Sequence, residues 1–173
     1  MLWCAMPVKT FTVVSLLSFK VIWLLLVMFQ NQYLLPVLAM TALILLFYPD
    51  KKLAFRSVLL VALPGFFLDS LLSITGVFDF GDTLIPPWLV ALWVNFALVL
   101  PYGFAFIREL VISWQVLAGA LASFSYLIGW SLDAVEFPLS IVPTQFLLIL
   151  LWSALLPVFV HLVKVKKNEL QHE

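Results

Sequence analysis

Long apolar runs separated by short polar breaks are the main pattern along the chain. The runs are continuous, as in 21–28 and 146–152, and lack the alternation of apolar and polar residues that marks a half-buried strand. The pattern therefore predicts six helices, each bounded by a polar or proline-containing turn. Their expected ranges are about 15–29, 34–48, 53–75, 86–107, 110–132 and 139–163. The first two are short for a membrane span, which needs about 20 residues.

Composition indicates that these helices lie in a membrane. Of the 173 residues, 65% are hydrophobic and only 10% are charged, whereas a soluble domain carries about 25% charged residues. A chain this apolar has too little polar surface to face water, so we expect an all-α, polytopic membrane protein, a bundle of about six transmembrane helices. Cys4 is the only cysteine, which excludes an internal disulfide and a cysteine-cluster metal site.

The placement of charge predicts the topology, although the formal net charge is zero. If six spans alternate, the basic residues outside the spans all fall on one side, and the loops of the other side hold only acids. The basic positions are Lys9, Lys51, Lys52, Arg56, Arg108, Lys164, Lys166 and Lys167, and the acidic ones are Asp79, Asp82, Asp133 and Glu136. Lys and Arg accumulate in cytoplasmic loops, so both termini are expected in the cytoplasm.

This topology divides the chain into three parts. Residues 1–14 are expected to form a cytoplasmic or interfacial leader. Residues 15–163 form the six-helix transmembrane domain, and 164–173 form a short basic and polar cytoplasmic tail. The expected location is the bacterial inner membrane, in which the protein is multi-pass and has membrane lipids as partners.

Four polar side chains in the outer half of the bilayer are the candidate ligand-binding residues. Asp69, Asn95, Tyr126 and Gln145 lie on four predicted helices at similar depth. A charged group inside a span costs roughly 2.5–3.5 kcal/mol on insertion scales, so Asp69 needs a partner or a function. Two interpretations stay open: an interhelical hydrogen-bond network, or a pocket open to the periplasm that binds a small molecule or a lipid headgroup.

Small residues and prolines predict how the helices pack. Gly119 and Ser123 lie beside a small-residue face of the fifth helix. This face predicts close packing within the chain or, alternatively, across a homodimer or against a membrane-protein partner. Pro64 and Pro101 are expected to kink the third and fourth helices.

Catalytic and cofactor-binding motifs are missing from the sequence. It contains no G-x-S-x-G elbow, H-E-x-x-H pair, Walker loop or Rossmann glycine pattern. We therefore predict no catalytic residue, no metal ligand and no cofactor, and nucleic acid is not an expected partner. Trp93 and Trp152 are expected to pack in the interior rather than to form an aromatic cage. Lys20 is expected to extend its amine to the interface.

Four segments of the chain carry a family resemblance: 65–72, 92–97, 119–129 and 152–157. Their order and spacing resemble those of an uncharacterised proteobacterial family, domain of unknown function 2878. The resemblance covers about 19–162 and implies a small polytopic inner-membrane protein without an established activity. The family is also associated with gene neighbourhoods for fatty-acyl lipid modification, which implies a role in envelope lipids.

Two functions follow as expectations. The first is a non-enzymatic binding, transport-accessory or scaffold protein with a polar pocket in the periplasmic half of the bilayer. It rests on a fold-level analogy to the substrate-binding subunits of energy-coupling-factor transporters. The alternative is a membrane enzyme or accessory factor in fatty-acyl modification, with Asp69 as an acid–base residue. Because no second titratable group lies at the same depth, as such chemistry usually requires, binding is the favoured expectation.

Overall fold

The computed structural model describes residues 7–165, which form a helical bundle. Six long helices follow one another within these residues, in agreement with the predicted all-α fold. They are α1 (Val8–Phe29), α2 (Leu34–Phe47), α3 (Lys51–Ile74), α4 (Pro87–Gly103), α5 (Ile112–Ser131) and α6 (Ile141–Leu162). A short helix, Ala105–Glu109, connects α4 to α5.

Contacts at the helix ends show that α1 and α2 form an antiparallel hairpin. Near the start of α1, the Phe11 ring packs edge-on against Tyr48, which follows α2, at a centroid distance of 5.1 Å. The same ring meets Tyr102 in the last turn of α4 at 5.3 Å. At the opposite end, the Gln30 side-chain amide after α1 donates to the Asp133 carbonyl after α5 (3.1 Å). Loops that are next but one along the chain therefore lie at the same end of the bundle, and successive loops lie at opposite ends.

The two ends of the bundle carry opposite charges. The end that contains Phe11, here called the basic end, holds Lys9, Lys51, Lys52, Arg56, Arg108 and Lys164, whereas the other, the acidic end, holds Asp79, Asp82, Asp133 and Glu136. Two backbone hydrogen bonds of 3.0 and 2.9 Å join Asp79 to Glu136. The charges segregate as the sequence predicted, while the side of the membrane that each end faces stays a prediction.

Four stretches of the described chain are long and apolar enough to cross a membrane. One is Val8–Phe47, which combines α1 and α2, and the others are α3, α5 and α6. α4 has 17 residues and α2 alone has 14, fewer than the roughly 20 that a span requires. These stretches indicate a multi-pass membrane protein. The predicted count of six spans depends on α2 and α4, which are short.

The first helix begins at Val8, earlier than the predicted start at residue 15. Phe11 is buried between Tyr48 and Tyr102, so packing holds the first turns of α1 in place despite the charge of Lys9. Part of the predicted leader 1–14 thus belongs to α1. Residues 1–6, together with 166–173 of the predicted tail, lie outside the described residues.

α4 is the central helix of the bundle. Residues on several of its faces are buried, including Trp93, Asn95 and Leu98, and α1, α2 and α3 pack around it. α5 packs along α6, and Gly119 allows their backbones to approach. A Cβ atom at Gly119 would lie only 2.2 Å from the Trp152 carbonyl oxygen. Gly119 of α5 is therefore in close contact with α6 within the chain.

The two prolines expected to distort helices lie at helix irregularities. Pro64 has no N–H group to donate to the preceding turn, and a π-helical turn, Val58–Ala62, comes directly before it in α3. Pro101 lies in the last turn of α4, and the helix is interrupted at Phe104. The π-helical turn changes the register of the half of α3 that carries Asp69.

Candidate ligand-binding site

Asp69 links three helices at the centre of the site. Its side chain is 0% exposed, and Oδ2 accepts a hydrogen bond from the indole Nε1 of Trp93 on α4 (2.7 Å). The Tyr126 hydroxyl on α5 lies 3.0 Å from Oδ1 and 3.2 Å from Oδ2, to which it donates. Burying an acid requires hydrogen-bond partners, and two aromatic side chains supply them here.

Gly65 provides the space in which the Trp93 ring lies. It precedes Asp69 by one helical turn, so both residues face the same side of α3. A Cβ atom at Gly65 would lie 2.3 Å from carbon atoms of the Trp93 ring. The small residue and the acid therefore act together: Gly65 lets the indole lie against α3, and Asp69 accepts its N–H.

The other predicted residues belong to separate hydrogen-bonded groups. The Asn95 amide on α4 donates to the Thr41 hydroxyl of α2 (2.9 Å) and to the Ala91 carbonyl (2.8 Å). The Gln145 amide on α6 donates to the Ser123 hydroxyl of α5 (2.9 Å). Of the four candidates, the structure therefore brings only Asp69 and Tyr126 together.

Sequence reasoning missed three partners in these groups. Thr41 is the only side chain of α2 with a hydroxyl, which is a signal that could have paired it with Asn95. The sequence assigns Ser123 to helix packing alone. In the structure it is fully buried at a one-residue interruption of α5, between Ile112–Ala122 and Phe124–Ser131. Trp93 was expected only to pack, but its N–H group binds Asp69. No general signal in the sequence distinguishes a packing tryptophan from a donating one.

An aromatic cavity of about 210 Å³ lies between α1, α4, α5 and α6. Its aromatic lining consists of Phe19, Trp23, Phe80, Trp88, Trp93, Phe96, Phe104, Tyr126 and Trp152. On the α5 side the wall is made of small residues, Ala122, Ser125 and Gly129. None of the lining residues is charged, so the cavity suits an apolar molecule.

Asp69 fixes two residues of the cavity wall without lining the cavity itself. Trp93 and Tyr126 both line it, and both donate to Asp69. Trp93 also stacks on Trp152, with the rings 5.7 Å apart and inclined by 10°. Asn95 and Gln145 are not among the lining residues. Of the four expected ligand-binding residues, Tyr126 lines this cavity and the other three do not.

The family model described as a protein of unknown function, DUF2878, matches residues 12–158. The chain belongs to this family. No curated protein and no solved structure shows significant similarity to it. In this DUF2878 protein, the Asp69 cluster and all the cavity-lining residues fall inside the matched region.

The lining of the DUF2878 cavity is largely aromatic and aliphatic. Among residues 7–165, no group of three or more histidine, cysteine, aspartate or glutamate side chains could hold a metal ion. Lys20 is exposed on α1, whereas Asp69 is fully buried against Trp93 and Tyr126. What the site offers is an uncharged, largely aromatic surface.

The structure uses Gly119 and Ser123, the residues considered for a homodimer, inside the DUF2878 chain. Gly119 packs against the backbone of α6, and Ser123 is 0% exposed and accepts from Gln145. A homodimer or a membrane-protein partner at these residues stays a prediction.

Proposed function

We propose that this DUF2878 protein is a non-enzymatic, multi-pass inner-membrane protein that binds an apolar chain of a membrane lipid in its aromatic cavity, as an accessory or scaffold component. The observation that carries the proposal is the construction of the cavity. Aromatic rings surround it, no lining residue is charged, and a buried acid on a third helix holds two of its wall residues. Packing alone does not require such an empty space.

The shape of the cavity favours an extended chain as the occupant. Along α1 the lining runs from Phe19 to Val27 and along α4 from Trp88 to Phe96. Each of these distances is about 12 Å at the rise of an α-helix. α1 and α5 both line the cavity but do not pack closely on each other, which leaves a gap through which a chain could enter from the bilayer. Apolar cavities of this size stay dry and accept apolar ligands.

The orientation in the membrane follows from the charges. The basic end is assigned to the cytoplasm because Lys and Arg accumulate there, and the acidic end then faces the periplasm. Asp69 lies about 7 Å along α3 from Ile74 at the acidic end and about 27 Å from Lys51. The Asp69 cluster is therefore assigned to the periplasmic half of the bilayer.

The alternative, an enzyme or accessory factor in fatty-acyl modification, receives less support from the site. A general acid or base must reach its substrate within hydrogen-bond distance. The Asp69 carboxylate instead accepts hydrogen bonds from Trp93 and Tyr126. These two residues line the cavity, and Asp69 does not. A lipid species that is lost in a deletion strain, and restored by the wild-type chain but not by Asp69→Asn, would favour the enzyme.

The proposal is tested by counting the lipids that the purified protein retains. The wild-type chain, extracted in a mild detergent and studied by native mass spectrometry, is expected to keep one lipid per chain. Ala122→Phe places a ring in the cavity and should remove that lipid. Leu121→Phe is the matched control, because Leu121 is 61% exposed on the neighbouring face of α5, and it should retain the lipid.

A second variant gives an independent test if Ala122→Phe fails to fold. Gly129 also lines the cavity, and a Cβ atom there would meet only Val135 at 3.7 Å, so Gly129→Leu can enter the cavity without a backbone clash. Both folded variants should lose the lipid. If both retain it at the wild-type level, the lipid lies elsewhere and the proposal is wrong.

A further inference from the structure

Lys20 is a charged residue near the middle of an apolar helix. α1 has 22 residues, Val8–Phe29, and its length of about 33 Å matches a hydrocarbon core of about 30 Å. Lys20 lies about 18 Å along this helix from Val8 and about 14 Å from Phe29. It is exposed and does not line the cavity, so its side chain lies on the outer surface of the bundle near the centre of the bilayer.

The membrane surface is out of reach of the Lys20 amine. The sequence predicts that this amine extends to the interface, on the expectation of a helix that begins at residue 15. Because α1 begins at Val8, the four-carbon stem of lysine covers less than half of the distance to either end of the helix. A charged group within a span is costly, and such groups pair with one another. Lys20 therefore requires a partner at this depth.

No carboxylate among the described residues serves as this partner. Lys20 makes no ion pair and no side-chain hydrogen bond with residues 7–165. The acid inside a described span is Asp69, which is fully buried and accepts from Trp93 and Tyr126. A second copy would offer the same buried acid, and the two Lys20 amines would repel each other. The partner is therefore a different molecule.

The exposed residues around Lys20 form a face that suits a second helix. Leu17 precedes Lys20 by three positions, and Leu24 follows it by four. Alternation of three and four is the spacing of contact positions between packed helices. This face, here called the Lys20 face, consists of Val13, Leu17, Lys20, Leu24 and Met28, and its apolar members are 47–58% exposed. It is thus an apolar surface with one cation at its centre.

We infer that the Lys20 face binds a transmembrane helix of another membrane protein, and that this helix carries an aspartate or glutamate opposite Lys20. The inference rests on the accessory or scaffold role in the proposed function and specifies the partner. A carboxylate at this depth removes the cost of an unpaired cation in hydrocarbon. An anionic lipid fits less well, because its headgroup lies outside the hydrocarbon core, beyond the reach of the amine.

The test is photochemical cross-linking of the full chain in its native membrane. Benzoylphenylalanine replaces Leu17, one turn from Lys20 on the same face, and the products are identified by mass spectrometry. We expect a product whose partner peptide is an apolar span that contains Asp or Glu. Lys20→Leu should lower its yield by about fivefold or more, the effect of one polar contact between membrane helices in model peptides. Lys20→Arg should retain it.

Two controls make the result specific to the ion pair. Benzoylphenylalanine at Leu150, which is 55% exposed on α6, should not give this product. Lys20→Glu should lose the product, and the same variant should regain it when the acid of the partner helix is replaced by lysine. Lys20→Leu places an apolar residue on a lipid-facing surface, so it does not hinder insertion. Because Lys20 does not line the cavity, this variant should also keep the cavity lipid.

The failures of the two proposals are distinguishable. The inference is wrong if Leu17 gives no product, a second copy, or lipid alone, or if the product persists in Lys20→Leu. Each of these results leaves lipid binding in the cavity standing. Absence of the cavity lipid from the wild-type chain, together with a cross-link that depends on Lys20, would contradict lipid binding and leave the inference standing.

Discussion

At the scale of single residues, Asp69 shows how a buried acid can hold two aromatic side chains by hydrogen bonds. Its two oxygens accept from Trp93 and Tyr126, and both donors belong to the cavity wall. The hydrogen-bond interpretation of Asp69 that the sequence left open therefore has defined partners. The pocket interpretation of Asp69 stays a prediction.

Substitution of Asp69 should separate loss of charge from loss of hydrogen bonding. In Asp69→Asn, the amide oxygen can accept from Trp93 and the amide nitrogen can donate to the Tyr126 oxygen, so the protein should fold with a small loss of stability. Asp69→Leu leaves both buried donors unpaired and should lower the free energy of unfolding by roughly 2–4 kcal/mol. Thermal unfolding in detergent measures both effects. Equal stability of Asp69→Leu and the wild type would show that these hydrogen bonds do not stabilise the fold.

At the scale of helices, the sequence predicted the elements better than their contacts. All six helices were expected from the apolar runs, and Asp69 and Tyr126 were expected in the interior. The apolar pattern could not show which face of α4 meets which neighbour, because buried residues occur on several faces of that helix. As a result Asn95 was grouped with Asp69, although it lies two residues from Trp93 and bonds to Thr41 on α2.

The start of α1 was missed for a related reason. Local polarity suggested a leader, while the helix is held from Val8 onward by the packing of Phe11 on Tyr48 and Tyr102. That contact joins residues far apart in the chain, so no local pattern contains it.

The contact between α5 and α6 gives a prediction at this scale. In Gly119→Ala the added Cβ would meet the backbone of Trp152, which cannot move aside as a side chain would, so the two helices must separate. We expect a loss of roughly 1–3 kcal/mol in unfolding free energy. Gly129→Ala is the control, because its Cβ would have only an ordinary contact at 3.7 Å, and it should be neutral or slightly stabilising.

The same variant separates the two earlier interpretations of the small-residue face. If Gly119 packs within the chain, the defect should appear as reduced thermal stability at every protein concentration. A change in oligomeric state by size-exclusion chromatography with light scattering, at unchanged stability of the monomer, would instead place Gly119 in a homodimer.

At the scale of the whole molecule, the distribution of charge, the directions of the helices and the position of the cavity are consistent with one another. The antiparallel path brings the basic residues to one end and the acidic loops to the other. The Asp69 cluster lies nearer the acidic end, where Phe80, Trp88 and Val135 line the cavity. A lipid chain in the cavity would thus extend from the membrane surface on the acidic side toward the bilayer centre.

The orientation of the bundle can be tested by fusion of alkaline phosphatase, which is active only in the periplasm. Fusions after Gly81 or Asp133 should be active, and fusions after Lys52 or Arg108 inactive, because cytoplasmic loops carry the excess of Lys and Arg. A fusion after Asn31 is the critical one, since α2 has only 14 residues and the hairpin of α1 and α2 must cross twice if six spans exist. Activity after Asn31 combined with inactivity after Lys52 would establish both crossings. Inactivity after Asn31 would mean that the hairpin remains on the cytoplasmic side, and activity after Lys52 would reverse the assignment of the basic end to the cytoplasm.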